Sequence, residues 1–160
     1  MVNILRKLLD YIDSAMKYIF YVLLATMLGV AFLQVIARSV LSISVSWTDE
    51  LTRYLFIWLI FIGIAFSIRR AGHISIDTIY LFIKEDKKET YRKFLYILQI
   101  VFFAAVFFFS FNFMVSNFTN TSPAMQLPMG YVYMSLPIGC ILSILFLLEK
   151  IFIDREGVPE

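Results

Sequence analysis

WTDELTRYLFIWLIFIGIAFSIRRAGHISID, residues 47–77, decides the fold class of this chain. Charged residues crowd both of its ends and none lies between them. Fifteen uncharged residues, Tyr54 to Ile68, separate Arg53 from Arg69. At about 1.5 Å per helical residue they cover about 22 Å, short of the roughly 30 Å hydrocarbon core of a bilayer. Extended back to Trp47 the helix reaches about 33 Å, and the pair Arg69-Arg70 limits it at the other end. The stretch therefore reads as a membrane span, with Asp49, Glu50 and Arg53 at one boundary and Arg69, Arg70 and His73 at the other. Charges so close to hydrocarbon are costly, and their clustering needs a cause.

The flanking sequence extends the same reading. The 160 residues are 61% hydrophobic and include 17 Phe, and from Phe94 to Leu148 no Asp, Glu, Lys, Arg or His occurs. No water-soluble fold hides such a run, so an all-α integral membrane protein is expected, as one membrane domain over residues 1–160. Four spans account for the pattern, at about 18–37, 47–68, 94–118 and 131–148. The first is too long for the apolar part of a cleavable signal peptide and reads as a retained span. Twelve Lys and Arg fall in the N-terminal segment, the 69–93 connection and the C-terminal tail, against Arg38 and Arg53 on the other side. By the positive-inside rule both termini are expected to be cytoplasmic. The single cysteine, Cys140, excludes an internal disulfide framework and reads as a small buried hydrophobe.

Two segments look interfacial. In ILRKLLDYIDSAM, residues 4–16, Ile4, Leu5, Leu8, Leu9, Ile12 and Met16 recur at helical spacing while Arg6, Lys7, Asp10 and Asp13 fill the other face. ISIDTIYLFI, residues 74–83, groups Ile76, Ile79, Tyr80 and Ile83 in the same manner. Both predict short amphipathic helices at the cytoplasmic surface. The outer connection TNTSPAMQLPMG, residues 119–130, carries Pro123, Pro128 and Gly130 and cannot continue a helix cleanly.

Within the second span Asp49 and Arg53 are spaced i,i+4, and Glu50 and Arg53 i,i+3, so all three can meet on one helical face. Ser46 stands where it can cap the helix, with Asp49 in the capping-box position. Three readings are open for this cluster: a charge-paired helix start, a partner contact, or coupling-ion binding by Asp49 or Glu50. At the other boundary His73 is placed to bridge Arg69 and Asp77, each four residues away. As the only histidine it excludes bis-histidine haem and His-rich metal sites, and a structural role or a proton relay remain. Neither a cofactor nor a metal is expected.

Small residues at four-residue spacing predict close helix contacts: Ala25 and Gly29, then Gly63, Ser67 and Ala71, then Ser135, Gly139 and Ser143. The third span differs, since Phe102, Phe103, Phe107, Phe108, Phe109, Phe111 and Phe113 surround its axis and predict contact with lipid or a large apolar partner. Asn112 and Ser116 form its one polar stripe and suggest an interhelical hydrogen bond. Pro137 is placed to kink the fourth span. No charged residue lies in the centre of any span, whereas a transporter acting alone needs ionisable groups or broken helices near the midplane. The sequence contains no phosphate loop, zinc motif or nucleophile–base pair, and an enzyme is not expected.

These residues resemble the small membrane (Q-type, DctQ-like) subunit of tripartite ATP-independent periplasmic (TRAP) transporters. The likeness lies in Trp47, Glu50, Arg53-Tyr54, Trp58, Gly63, Arg69, His73-Ile74 and Asp77. It continues in Ser122-Pro123-Ala124 through Pro128, Tyr133 and Leu136-Pro137-Ile138-Gly139, and Gly130-Tyr131 departs from the aromatic pair common there. The resemblance implies an accessory subunit of a sodium-driven secondary transporter that takes up organic anions, such as C4-dicarboxylates or sialic acid, across the bacterial cytoplasmic (inner) membrane. It implies as partners a large multi-span subunit holding the substrate and ion sites and a periplasmic binding protein, and no nucleic acid. The implied role for this chain is to scaffold the large subunit and help dock the binding protein. The residues by themselves also admit an autonomous four-helix homodimeric transporter with Glu50 as coupling carboxylate, or a membrane redox anchor, against which the lone His73 and Cys140 count.

Overall fold

The computed structural model describes residues 2–40, 42, 45–70 and 85–152. The expected helix at 74–83, with His73 and Asp77, lies outside these described residues, as does Ala71. Helix α1 is Val2–Ser39, α2 is Ser46–Arg70, α3 is Glu85–Ser116, α4 is the short Met129–Tyr133 and α5 is Ser135–Phe152. Among the described residues four segments are long and apolar enough to cross a membrane: Arg6–Ser39, Ser46–Arg70, Lys88–Ser116 and Met129–Phe152. The protein is thus an all-helical, four-span membrane protein, as the hydropathy pattern requires.

Residues 4–16 are helical as expected, but they do not form a separate helix. They run unbroken into the first span as one element of 38 residues, about 57 Å long. No Pro or Gly interrupts residues 2–28, so nothing in the backbone forces a break. The amphipathic face finds a protein partner: Leu9 and Met16 are buried in a cluster with Ile62 and Ala65 of α2 and Phe146 of α5, with Ile12 packed beside them.

The helices pack in a row ordered α1, α2, α5, α3: α1 lies on α2, α2 on α5, and α5 on α3. Burial follows the order. The central pair contributes Ala65 and Phe146, both fully buried, while α1 and α3 expose Phe32, Phe102, Phe108 and Phe109. The expected all-round apolar face of the third span is present, with Tyr96, Ser110 and Met114 as its buried contacts. Asn112 and Ser116 depart from expectation. Asn112 Nδ2 donates to the Phe108 carbonyl and Ser116 Oγ to the Asn112 carbonyl, both four residues back in the same helix. A side chain that satisfies itself on its own backbone has no need of a neighbour in an apolar setting.

The α2–α5 contact is the tightest in the row. A Cβ placed on Gly139 would lie 2.8 Å from the Phe61 Cβ and 2.9 Å from the Phe61 carbonyl oxygen. Ser135 and Ser143, four residues to either side, are fully buried. The predicted small-residue stripe of the fourth span is therefore a backbone-approach surface. Ala25 and Gly29 are not so used: both are exposed, and nothing lies within 4 Å of a Cβ built on Gly29.

Pro137 acts at a helix boundary. It is the third residue of α5 and has no N–H to donate to the Tyr133 carbonyl, four residues back. The helical run breaks at Met134, between α4 and α5. Met134 N–H still reaches the Gly130 carbonyl at 2.9 Å, and Ser135 Oγ takes up the Val132 carbonyl at 2.9 Å, so the two pieces cross as one span.

Candidate functional site

The chemistry-bearing side chains gather at the two ends of the row. One end carries Arg69, Arg70 and the start of α1, and is the basic end; the other carries residues 117–128, and is the loop end.

At the basic end Arg69 joins three helices. Its Nε and one terminal nitrogen each lie 2.9 Å from the two carboxylate oxygens of Glu149 on α5, a two-pronged pair. The same terminal nitrogen reaches Asp10 Oδ1 at 2.6 Å, and the other donates to the Leu9 carbonyl at 3.0 Å, both on α1. Asp13 Oδ2 lies 3.6 Å away. The guanidinium also sits 5.3 Å from the centroid of the Phe146 ring, at the bottom of the buried cluster. Its planar fork suits this place, since a lysine ammonium cannot bind a carboxylate in two parallel prongs. Arg70 pairs with Asp13 at 3.2 Å and lies over the Phe66 ring, 4.5 Å from its centroid. Phe66 in turn stacks on Phe20 of α1 at 6.0 Å.

At the loop end the expected charge cluster is arranged differently. Arg53 is exposed and has no ion pair among the described residues, so the anticipated pairing with Asp49 and Glu50 is not made. Each carboxylate has found another donor. Asp49 accepts a hydrogen bond from Gln34 Nε2 of α1. Glu50 accepts the backbone N–H groups of Ala124 and Met125, at 2.9 and 3.0 Å, one on each oxygen. Two adjacent N–H groups presented to one carboxylate make a fixed, charge-assisted seat. Thr48, rather than Ser46, makes the side-chain bond at this helix start, with Oγ1 2.7 Å from the Val45 carbonyl.

The loop that Glu50 holds is itself closed. Ser122 N–H donates to the Leu127 carbonyl at 2.9 Å, Leu127 N–H to Ser122 Oγ at 3.3 Å, and Gln126 N–H to the Ser122 carbonyl at 3.2 Å. Gln126 has φ 54°, an uncommon left-handed conformation for a residue with a side chain. Thr121 and Pro128 are bridged across its neck, where Pro128 leads into α4.

Of the other predicted positions, Trp47 is 42% exposed at the loop end and Tyr54 is buried. Trp58 packs against the apolar cluster. Tyr133 lies against Phe113 of α3, ring centroids 4.7 Å apart. Sequence reasoning brought Asp49, Glu50 and Arg53 together and missed Gln34, Asp10, Asp13, Glu149 and the two loop amides. Glu149 had a signal: α2 and α5 run in the same direction, so residues at the ends of both spans share a depth. Backbone donors carry none. Among the described residues no three His, Cys, Asp or Glu side chains are grouped as a metal site requires.

A row of four helices long and apolar enough to span a membrane, cross-linked by charged side chains at its ends among the described residues, defines a multi-pass membrane protein. Residues 27–156 match the family described as tripartite ATP-independent periplasmic transporters, DctQ component. The chain belongs to that family, whose members are TRAP transporter small permease subunits. It is 26% identical to the sialic acid TRAP transporter small permease protein SiaQ of Vibrio cholerae, over 94% of this chain and 85% of that one. It is 28% identical to the C4-dicarboxylate TRAP transporter small permease protein DctQ of Rhodobacter capsulatus, over 69% of this chain and 49% of that one. A likeness at 25% identity, over 84% of this chain and 22% of the other, extends to the sialic acid TRAP transporter permease protein SiaT of Haemophilus influenzae. The chain thus spans about half the length of some relatives, 47% of one Haemophilus influenzae protein and 49% of the Rhodobacter protein.

Proposed function

We propose that this chain is the accessory membrane subunit of a sodium-driven, binding-protein-dependent secondary transporter for organic anions, in the bacterial cytoplasmic membrane. C4-dicarboxylates and sialic acid are the substrate classes, by likeness to relatives so named. The family match over residues 27–156 carries this reading. The lack of charge between Arg53 and Arg69 supports it, since substrate and ion sites near the midplane then belong to a larger partner subunit. The likeness to a much longer permease protein is in keeping with such a partner.

The two ends have separate tasks in this scheme. The Arg69 hub at the basic end locks α1, α2 and α5 together, which keeps the row rigid as a scaffold. The loop held by Glu50 presents its backbone at the opposite surface, where a periplasmic binding protein docks. Glu50 is a weak choice for a coupling carboxylate because both of its oxygens are already engaged.

The test is reconstitution. Purified in mild detergent, the chain is expected to bring a large multi-span subunit with it. Proteoliposomes holding both are expected to take up the organic anion only with a sodium gradient and the binding protein present. Sodium-driven uptake by this chain alone would overturn the proposal.

A further inference from the structure

An open apolar groove of about 420 Å³ lies between α1 and α2, lined by Phe20, Leu24 and Met27 on one helix and by Phe56, Gly63 and Ser67 on the other. Gly63 brings the two helices close: a Cβ there would lie 3.3 Å from the edge of the Phe20 ring. The groove is confined to one half of the membrane. Its α2 wall, from Phe56 to Ser67, is about 16 Å long, against roughly 30 Å for a whole hydrocarbon core. A partner helix crossing the bilayer here would need a seat along the full span. This one has the depth of a single leaflet and lies in the half next to the basic end.

Its polar end is cationic. Arg70 follows Ser67 by three residues and Lys17 precedes Phe20 by three, so each continues a groove face toward the membrane boundary. Arg70 is 49% exposed, with Asp13 occupying one nitrogen at 3.2 Å. Lys17 has no carboxylate partner among the described residues, its ammonium lying 5.9 Å from the Tyr21 ring centroid. Ser67, which lines the groove three residues before Arg70, is exposed and adds a hydroxyl. An apolar slot of leaflet depth, closed at the interface by two cations and a hydroxyl, has the charge pattern of an amphiphile with a negative head.

The geometry points to a binding site for one anionic phospholipid, with an acyl chain in the groove and its phosphate between Lys17 and Arg70 beside Ser67. The positive-inside distribution assigns it to the cytoplasmic leaflet, the face on which anionic headgroups attract basic residues. The inference requires only that the chain spans a membrane and is independent of the transport reading.

The test uses the full-length chain, with whatever subunits accompany it in mild detergent, in native mass spectrometry against phosphatidylglycerol and phosphatidylcholine of matched chain length. Phosphatidylglycerol is expected to be retained preferentially. Lys17→Gln is expected to lower that retention about fivefold, the effect of one basic residue near a headgroup, without changing phosphatidylcholine. Ser67→Phe, which fills the slot, is expected to reduce both. Arg70 is left intact because it pairs with Asp13. Equal retention of the two lipids, or no change in either variant, would overturn the site. A photo-crosslinking side chain at position 60, on the groove face, is expected to label lipid in intact membranes. Labelling of another protein's helix instead would show the groove to be a helix seat and overturn the inference.

Discussion

Arg69 and Glu149 lie 80 positions apart in the chain and meet in a two-pronged ion pair, both nitrogen–oxygen distances 2.9 Å. Both side chains are 14% exposed, so the pair is largely removed from solvent and screening. It fixes the depth of α2 against α5, and through Leu9 and Asp10 it fixes α1 as well.

Removing one member leaves the others uncompensated. Arg69→Ala is expected to destabilise the chain by about 3 kcal/mol, the usual scale for stripping one partner from a buried pair. Arg69→Lys keeps the charge but loses the fork, and is expected to fall between the two. Thermal unfolding in detergent measures both; an Arg69→Ala midpoint equal to that of the unmodified protein would refute the hub.

At the loop end, Glu50→Ala is expected to free the amides of Ala124 and Met125. Hydrogen exchange at those two positions should accelerate while exchange in α5 stays unchanged. Arg53→Ala, by contrast, is expected to alter neither exchange nor thermal stability, because Arg53 is exposed and makes no ion pair among the described residues. A larger effect at Arg53 than at Glu50 would restore the charge-cluster reading of the sequence.

Gly139→Ala is expected to cost about 1–3 kcal/mol, as overpacking does, because the new methyl group meets the Phe61 backbone rather than a yielding side-chain tip. Gly29→Ala meets nothing within 4 Å and is expected to leave the stability of the isolated chain intact. Thermal melts of the two variants side by side check the contrast.

Ser143 Oγ is buried without a hydrogen-bond partner. Ser143→Ala removes an unsatisfied polar atom and is expected to be neutral or to raise stability by about 1 kcal/mol. Ser135→Ala removes the bond to the Val132 carbonyl and is expected to lower the unfolding midpoint, which the same melts record.

The spans were legible because hydropathy and the charged limits at Arg53 and Arg69 follow from the cost of charge in hydrocarbon. The α5 contact was legible for a related reason: Ser135, Gly139 and Ser143 recur at the spacing that lets backbones touch. The basic-end hub was only half visible. Arg69 stood out, but its carboxylates come from α1 and α5, and local spacing proposes only partners within one helix. Glu50 was misread by the same habit. Its donors are backbone amides in a loop 74 and 75 positions away, and an amide is present at almost every residue, so no residue type announces one. Pro137 shows the limit differently: the sequence located the disruption in the fourth span, but not its form, a break at Met134 bridged by the bond from Ser135 Oγ to the Val132 carbonyl.

The row of helices has a mechanical consequence. Neighbouring helix axes lie about 9 Å apart, and α1 and α3 flank the central pair α2 and α5. A tilt of the row lifts one flank out of register with the bilayer and sinks the other, and each ångström of mismatch costs a fraction of a kcal/mol. In the proposed scaffold role such a row acts as an outrigger: fastened along one side, it resists rocking in the membrane.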